Sequence, residues 1–89
     1  GTMICHEGLL ELKKHDEENQ TQYMETLRVY LEQHLSATQA ARELFIHRST
    51  FLYRLDRIKE ILQSELDDPE EIFYLELSFR LLEQEQEKE

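Results

Sequence analysis

The sequence has few of the residues that cross-link, bend or interrupt a chain: its 89 residues include one cysteine, one proline and two glycines. Cys5 cannot form an internal disulfide by itself, which suits a reducing cytosol. Because glycine and proline are scarce, few long loops are expected. Apolar runs are too short for a membrane-spanning helix, and the N-terminus lacks the basic and apolar regions of a signal peptide. These absences predict a cytoplasmic protein with no membrane contact.

Positive charge is also scarce, with 10 Lys and Arg against 20 Asp and Glu and a formal net charge of −10. DNA affinity depends on basic side chains that neutralise phosphates, so this balance argues against a nucleic-acid partner. The distribution argues the other way, because residues 42–59 hold five basic and two acidic residues, a net charge of +3 that leaves −13 for the remainder. One basic surface on an acidic body predicts modest, salt-sensitive affinity for DNA and a need for two copies.

A chain of this length has room for one small domain. Apolar residues recur with helical spacing, without strand-like alternation or internal repeats, which predicts an all-α fold, a small bundle of about five helices. A first helix is predicted within Met3–Glu18 and a loop without apolar residues over His15–Gln22. A second helix is predicted over Thr21–His34, with Thr21 as its N-cap. The two residues before Met3 are interpreted as a cloning remnant.

The segment from Ser36 to Gln63 predicts a short helix, a tight turn and a longer helix. Thr38 is the candidate N-cap of the short helix. Phe45 and Ile46 are expected to end it and begin the turn, and the longer helix is expected to cover about residues 48–63. This is the pattern of a helix-turn-helix motif, whose second helix has the size to enter the major groove of DNA. The candidate first residues of the longer helix are His47, Ser49 and Thr50, and its apolar stripe consists of Phe51, Leu55, Ile58 and Leu62.

A last helix is predicted to begin sharply at Pro69. Asp68 is its candidate N-cap, and Glu71 follows three residues later, as in a capping box. Its apolar face is wide enough to pack on the other helices and on a partner chain, and consists of Ile72, Phe73, Leu75, Leu77, Phe79 and Leu82. The acidic tail has no apolar residue and is expected to fray. The predicted domain organisation is therefore an N-terminal helix and loop over 1–20, a helix-turn-helix domain over 21–83 and a frayed acidic tail over 84–89.

The run IHRSTFLYRLDRI, followed by LDDPEEIFYLELSFRLL, resembles the C-terminal DNA-binding domain of PucR-type (purine catabolism regulator) transcription factors, which is similar to the Fis-like helix-turn-helix group. The resemblance covers about Thr21 to Leu82. It implies the DNA-binding output domain of a bacterial transcription regulator, which acts as a homodimer on double-stranded DNA downstream of a sensory domain. Leu52 and Asp56 stand where relatives often carry a basic residue, and this departure predicts weaker binding.

The candidate DNA contacts cluster at the start of the longer motif helix. Arg48, in its first turn, either binds a guanine or a phosphate or is a solvated surface residue, and the DNA contact is favoured. Ser49 and Thr50 either bind phosphates or cap the helix. His47 either contacts DNA or caps the helix, and capping is favoured.

Further along this helix, alternatives stay open. Tyr53 either reaches a base edge or the DNA backbone, or packs at the edge of the core with its hydroxyl in water. Arg54 either reaches the DNA backbone or a base edge, and a contact to phosphate is favoured. Arg57 is placed for a phosphate, but could equally pair with Glu60 or Glu65, an exposed ion pair worth little. Two more candidates for phosphate contacts lie on the preceding helix, Gln39 and Arg42.

Other chemistries have little support. Cys5, His6, Glu7 and His15 match no zinc-binding spacing and are interpreted as a chance cluster. The acidic run 67–71 is explained by the helix start, since the calcium loop and its glycine are missing. No enzyme activity, metal or other cofactor is expected. The alternative to DNA binding is an acidic helical module that binds protein or dimerises through its last helix and does not bind DNA on its own.

Overall fold

Five α-helices make up the part of the chain that the computed structural model describes, residues 5–87. They are α1 (Glu7–Asn19), α2 (Tyr23–Glu32), α3 (Ala37–Glu43), α4 (Arg48–Leu62) and α5 (Pro69–Glu87). Helices account for 77% of these residues and no strand occurs among them, so the predicted all-α bundle is confirmed. None of the described helices is long and apolar enough to cross a membrane. Met3 and Ile4, which the first helix was predicted to include, lie outside the described residues.

The core forms around α2 and α4, which contact each other and both pack on α1 and α3. The predicted apolar stripe of α4 is confirmed, since Phe51 and Ile58 are fully buried and Leu55 and Leu62 are nearly so. Burial raises the pKa of the Tyr30 hydroxyl on α2. The ring centroid of Tyr30 lies 5.5 Å from that of Phe51, so the two rings pack together between α2 and α4. This packing determines which side of α4 faces the core and which side faces solvent.

Helix α1 lies close against the C-terminal end of α4. Leu9 and Leu12 of α1 are fully buried. Gly8 permits this approach, because a Cβ at its position would lie only 3.1 Å from the Cα of Leu62. The N–H of Gly8 also donates to Nδ1 of His6 at 3.0 Å, which caps the start of α1. Helix α1 is therefore packed into the same core as the helix-turn-helix motif.

The connection between α1 and α2 differs from the prediction. Helix α1 continues to Asn19, so the loop predicted to start at His15 is helical over its first five residues. The N-cap position of α2 belongs to Gln22, whose side chain makes no capping hydrogen bond, and the prediction of Thr21 as N-cap is wrong.

Asp16, in the last turns of α1, supplies the missing cap. Its carboxylate accepts hydrogen bonds from the N–H groups of Tyr23 and Met24, both at 2.9 Å, and from the hydroxyl of Thr21. These N–H groups belong to the first turn of α2 and have no acceptor within their own helix. A side chain seven and eight residues upstream therefore does what a local N-cap usually does.

We expect Asp16→Ala to lower the free energy of unfolding by about 1–2 kcal/mol, because two helix N–H groups lose their acceptor. Urea unfolding followed by circular dichroism measures the change. The control is Glu17→Ala, the exposed neighbouring acid, which should change stability by less than about 0.5 kcal/mol. Equal losses in the two variants would contradict the capping role.

Helix α3 also begins earlier than predicted. Its N-cap is Ser36, whose Oγ accepts a hydrogen bond from the N–H of Gln39 at 3.2 Å. Thr38, the predicted N-cap, lies exposed within the first turn of the helix. Ala40 and Ala41 are buried, and their small side chains allow α3 to pack closely on α2 and α4.

Helix α5 starts at Pro69 as predicted, and Asp68 accepts a hydrogen bond from the N–H of Glu70 at 3.1 Å. Glu71 does not close the predicted capping box. Its carboxylate accepts hydrogen bonds from the hydroxyl of Ser64 and, at 3.1 Å, from Nε2 of His6. Glu71 therefore connects α5 to the start of α1 and to the loop that follows α4.

One side of α5 packs on α2, where Leu75 is fully buried and Phe79 nearly so. The opposite side leaves Phe73 63% exposed. The helix continues to Glu87, five residues beyond the last apolar residue of the predicted face, Leu82. The fraying expected of 84–89 remains a prediction, and residues 88 and 89 lie outside the described part.

Candidate nucleic-acid interface

The turn between α3 and α4 is held by backbone hydrogen bonds. The N–H of Phe45 donates to the carbonyl of Arg42 at 3.2 Å, and that of Ile46 donates to the carbonyl of Ala41 at 3.1 Å. Phe45 has a left-handed backbone, with φ of 58°, and Ile46 packs half-buried against the core. The predicted turn at these two residues is confirmed, although α3 itself ends at Glu43.

Helix α4 begins at Arg48, as the predicted range of about 48–63 requires. His47 occupies its N-cap position, but the side chain makes no capping hydrogen bond, so the cap favoured for this side chain is not observed. The first N–H groups of an α-helix have no acceptor within the helix and lie at the positive end of its dipole. The start of α4 is therefore suited to an anion such as a DNA phosphate.

Most of the predicted contact residues are exposed around this end of α4. The guanidinium of Arg48 has no hydrogen-bond or ion-pair partner in the part of the chain that the structure describes. Tyr53, one turn further on, is 63% exposed, which does not support packing at the core edge. The exposed candidates are Gln39, Arg42, His47, Arg48, Ser49, Thr50 and Tyr53.

Arg54 and Arg57 are placed differently. Nη1 of Arg54 donates to Oγ1 of Thr26, a fully buried residue of α2, at 3.2 Å. Nη1 of Arg57 lies 2.7 Å from the carboxylate of Glu60, one of the two ion pairs considered from the sequence. The two side chains are half-buried and do not share one exposed face with Arg48. Their contacts to phosphate remain predictions.

The outer side of α4 changes charge along its length. Because Phe51 faces the core, the helical period places Ser49, Tyr53, Asp56 and Glu60 near the opposite side. Asp56 and Glu60 are exposed and would repel phosphates. The first two turns of α4 are consequently the part that can approach DNA most closely.

One feature of this surface is not among the residues predicted from the sequence. Phe45 is 94% exposed, the largest exposed fraction among the large apolar side chains of the described chain. The sequence pattern places Phe45 only at the end of a helix and in the turn. The sequence feature that could predict this exposure is the neighbouring Ile46. Two apolar residues follow one another in a tight turn, and only one of them can face the core.

The histidines of the N-terminal cluster have structural partners. His6 caps α1 and bonds Glu71, and Nδ1 of His15 lies 3.0 Å from the hydroxyl of Thr21. Over residues 5–87, no group of three or more Cys, His, Asp or Glu side chains is arranged to hold a metal ion.

A short helix, a hydrogen-bonded turn and a longer helix with an exposed, partly basic start define a DNA-binding helix-turn-helix domain. Residues 23–81 match the PucR C-terminal helix-turn-helix domain family, and the chain belongs to this family. The family resemblance found in the sequence is confirmed. Such domains are the DNA-binding domains of transcription regulators.

Three curated proteins of Bacillus subtilis are similar to the chain. The purine catabolism regulatory protein is 38% identical over 73 residues, which cover 82% of this chain and 14% of that protein. The proline-responsive transcriptional activator PutR is 38% identical over 63 residues, with coverage of 71% and 15%. The DNA-binding transcriptional activator AdeR is 32% identical over 74 residues, with coverage of 83% and 18%.

The chain thus spans less than a fifth of the length of these relatives. The matched family segment begins at the start of α2, so α1 precedes it although α1 packs into the same core. No solved structure matches the chain significantly.

Proposed function

We propose that the chain reads a specific operator sequence by inserting the first turns of α4 into the major groove of DNA. Arg48, Thr50 and Tyr53 read or frame bases, while Ser49, Arg54 and Arg57 contact phosphates together with Gln39, Arg42 and His47. The observation that carries the proposal is the exposed start of α4, where the guanidinium of Arg48 has no partner among the described residues. Bidentate contact to guanine is the commonest specific use of an arginine in the major groove.

The charge distribution supports modest affinity that falls further when salt is added. The exposed cations at this end are Arg42 and Arg48, whereas Arg57 is paired with Glu60. Each phosphate contact contributes to the affinity and to its slope against salt concentration. A domain that makes few such contacts therefore forms a weak complex. Two copies on one duplex would combine their affinities, and helix-turn-helix dimers bind half-sites about one helical turn, ~34–36 Å, apart.

The outer side of α5 supports a homodimer. Phe73 is 63% exposed and Leu77, one turn later on the same side, is half-buried. Glu70 and Arg80 are exposed at the two ends of this patch. In an antiparallel pair of α5 helices, Phe73 would face Leu77 of the second copy, and Glu70 would face Arg80 of the second copy. Both the apolar contact and the charges would be complementary.

We expect Phe73→Ser to raise the dissociation constant of the dimer about tenfold or more, because a large apolar side chain is lost from the contact. Sedimentation velocity over a range of protein concentrations measures this constant. Leu10→Ser, which replaces an exposed apolar residue of α1, is the control and should leave the constant unchanged. Dimerisation that is insensitive to the change at Phe73 would place the dimer contact elsewhere.

The relatives support a role as the output domain of a longer cytoplasmic regulator. Their names describe regulators of purine catabolism and of a proline response, and each is several times longer than the matched segment. We infer that a sensory domain responds to a metabolite and changes the affinity or spacing of two copies of this domain on DNA.

The proposal is tested by incubating the purified domain with a pool of random duplexes at low salt and sequencing the retained fraction. Enrichment of a two-fold symmetric site, weakened by added salt, is the expected result. Retention without enrichment would contradict sequence-specific reading by this domain alone. A folded sample that retains no DNA would favour the alternative, a protein-binding module that uses the exposed side of α5 around Phe73.

A further inference from the structure

We propose that Phe45 is part of the DNA-binding surface and makes an apolar contact with the C5-methyl group of a thymine in the major groove. This inference rests on the proposed function of α4 and adds a residue that determines specificity. Two unfavourable properties, exposure of the side chain and a left-handed backbone, occur together at Phe45.

The first property is exposure. The side chain of Phe45 is 94% exposed, whereas Tyr53 and Phe73, the next most exposed large apolar residues described, are 63% exposed. An aromatic ring is among the side chains that stabilise a fold most when they are buried. Phe45 contributes almost none of this stabilisation to the free domain.

The second property is the backbone. Phe45 has φ of 58°, a left-handed conformation that is an outlier for a bulky residue. Leu66 shares this conformation but is buried, so packing offsets its strain. Leu35 also shares it and is only 36% exposed. At Phe45, the side chain is not packed against the described chain, so no burial compensates for the strain of its backbone.

The position of the ring points to DNA as its partner. Phe45 lies three residues before Arg48, and backbone hydrogen bonds from Phe45 and Ile46 to α3 fix the turn that carries it. Its flanking cations, Arg42 and Arg48, are exposed, and neither is ion-paired within residues 5–87. An apolar protein partner would have to desolvate these two cations, whereas a DNA duplex offers phosphates to them.

The major groove displays one apolar group, the C5-methyl of thymine, which apolar side chains including phenylalanine contact. A rigid turn at the entrance of α4 into the groove holds the ring where it can meet such a methyl. The inference therefore predicts a preference for thymine over uracil at one position of each half-site.

The test uses the duplex enriched by selection, with thymines replaced one at a time by deoxyuridine, which removes only the methyl group. At one thymine per half-site, the wild-type domain should lose about fourfold in affinity, the value expected for one buried methyl. Phe45→Gly should bind the unmodified duplex more weakly and lose less than about twofold on the same replacement. Fluorescence anisotropy measures the dissociation constants of the wild type and of Phe45→Gly for the unmodified duplex and for the deoxyuridine duplex.

Two controls separate binding from folding. Phe45→Gly should unfold at or above the wild-type temperature, because glycine adopts a left-handed backbone without strain. Leu10→Ala, a truncation of an exposed apolar residue on α1, should retain the wild-type response to deoxyuridine.

The outcomes that overturn the inference are distinct from failure of the proposed function. Equal affinity and equal sensitivity to deoxyuridine in Phe45→Gly and wild type would exclude Phe45 from the interface while leaving α4 as the reading helix. Weaker binding with unchanged sensitivity would place the ring against another part of the DNA and exclude the methyl contact. If the wild-type domain bound no duplex, the proposed function itself would be wrong.

Discussion

Arg48→Ala should weaken binding to the selected duplex by about 1–3 kcal/mol, or roughly 5- to 150-fold, which is the range for losing one bidentate base contact. The physical reason is that Arg48 is exposed in the first turn of α4 and its guanidinium has no partner in the described chain. If it reads a guanine, the variant should also lose the preference for that base pair. If it binds a phosphate instead, affinity should fall uniformly across sequences and the salt slope should drop by about 1. Titrations at three salt concentrations distinguish the two results.

Two other cations give comparisons. Lys13→Ala removes a positive charge from the exposed surface of α1, outside the proposed DNA and dimer contacts, and should change affinity for the selected duplex little. Arg54→Ala should reduce stability as well as affinity, because Arg54 bonds the buried Thr26 of α2. Unchanged affinity and salt slope in both Arg48→Ala and Arg54→Ala would contradict the proposed reading of DNA by α4.

Phe51→Ala should be the most destabilising single change in the motif, lowering the free energy of unfolding by about 3–5 kcal/mol. Phe51 is fully buried and packs on Tyr30, so truncation leaves a cavity between α4 and α2. Small domains have total stabilities of about 5–15 kcal/mol, often near the lower end, so most of the stability would be lost. Thermal unfolding followed by circular dichroism should show a lower midpoint or no cooperative transition.

The control for this change lies on the same helix. Tyr53→Ala also truncates an aromatic residue, but Tyr53 is 63% exposed, so stability should change by less than about 0.5 kcal/mol. Its effect should appear in DNA affinity instead. If Phe51→Ala unfolded like the wild type, the assignment of Phe51 to the centre of the core would be wrong.

The elements that could be predicted are those determined by neighbouring residues. The spacing of Phe51, Leu55 and Ile58 identifies the buried side of α4, because side chains three and four apart share a helix face. Asp68 and Pro69 identify the start of α5, because capping and the proline ring act within one turn.

The elements that were predicted wrongly depend on contacts between segments distant in sequence or on a choice between equivalent residues. Asp16 caps α2 from the preceding helix, which no local pattern at Thr21 reveals. Ser36 and Thr38 are both good N-cap residues, and the local pattern does not distinguish them, whereas in the structure Oγ of Ser36 accepts the capping hydrogen bond. Glu71 is drawn away from a local capping box by Ser64 and His6.

The sequence by itself determined that the chain is helical, that residues 36–63 form a helix-turn-helix motif and that this motif belongs to PucR-type regulators. These conclusions follow from apolar periodicity, capping residues and a sequence motif, all of which involve residues close together in the sequence. Only the tertiary structure decided which cations remain available to DNA and where an aromatic ring is displayed. Arg48 is unpartnered in the described chain, Arg54 bonds α2, and Phe45 turns outward while Ile46 turns inward. The reason is that the direction of a side chain depends on the neighbouring helices that occupy the space around it.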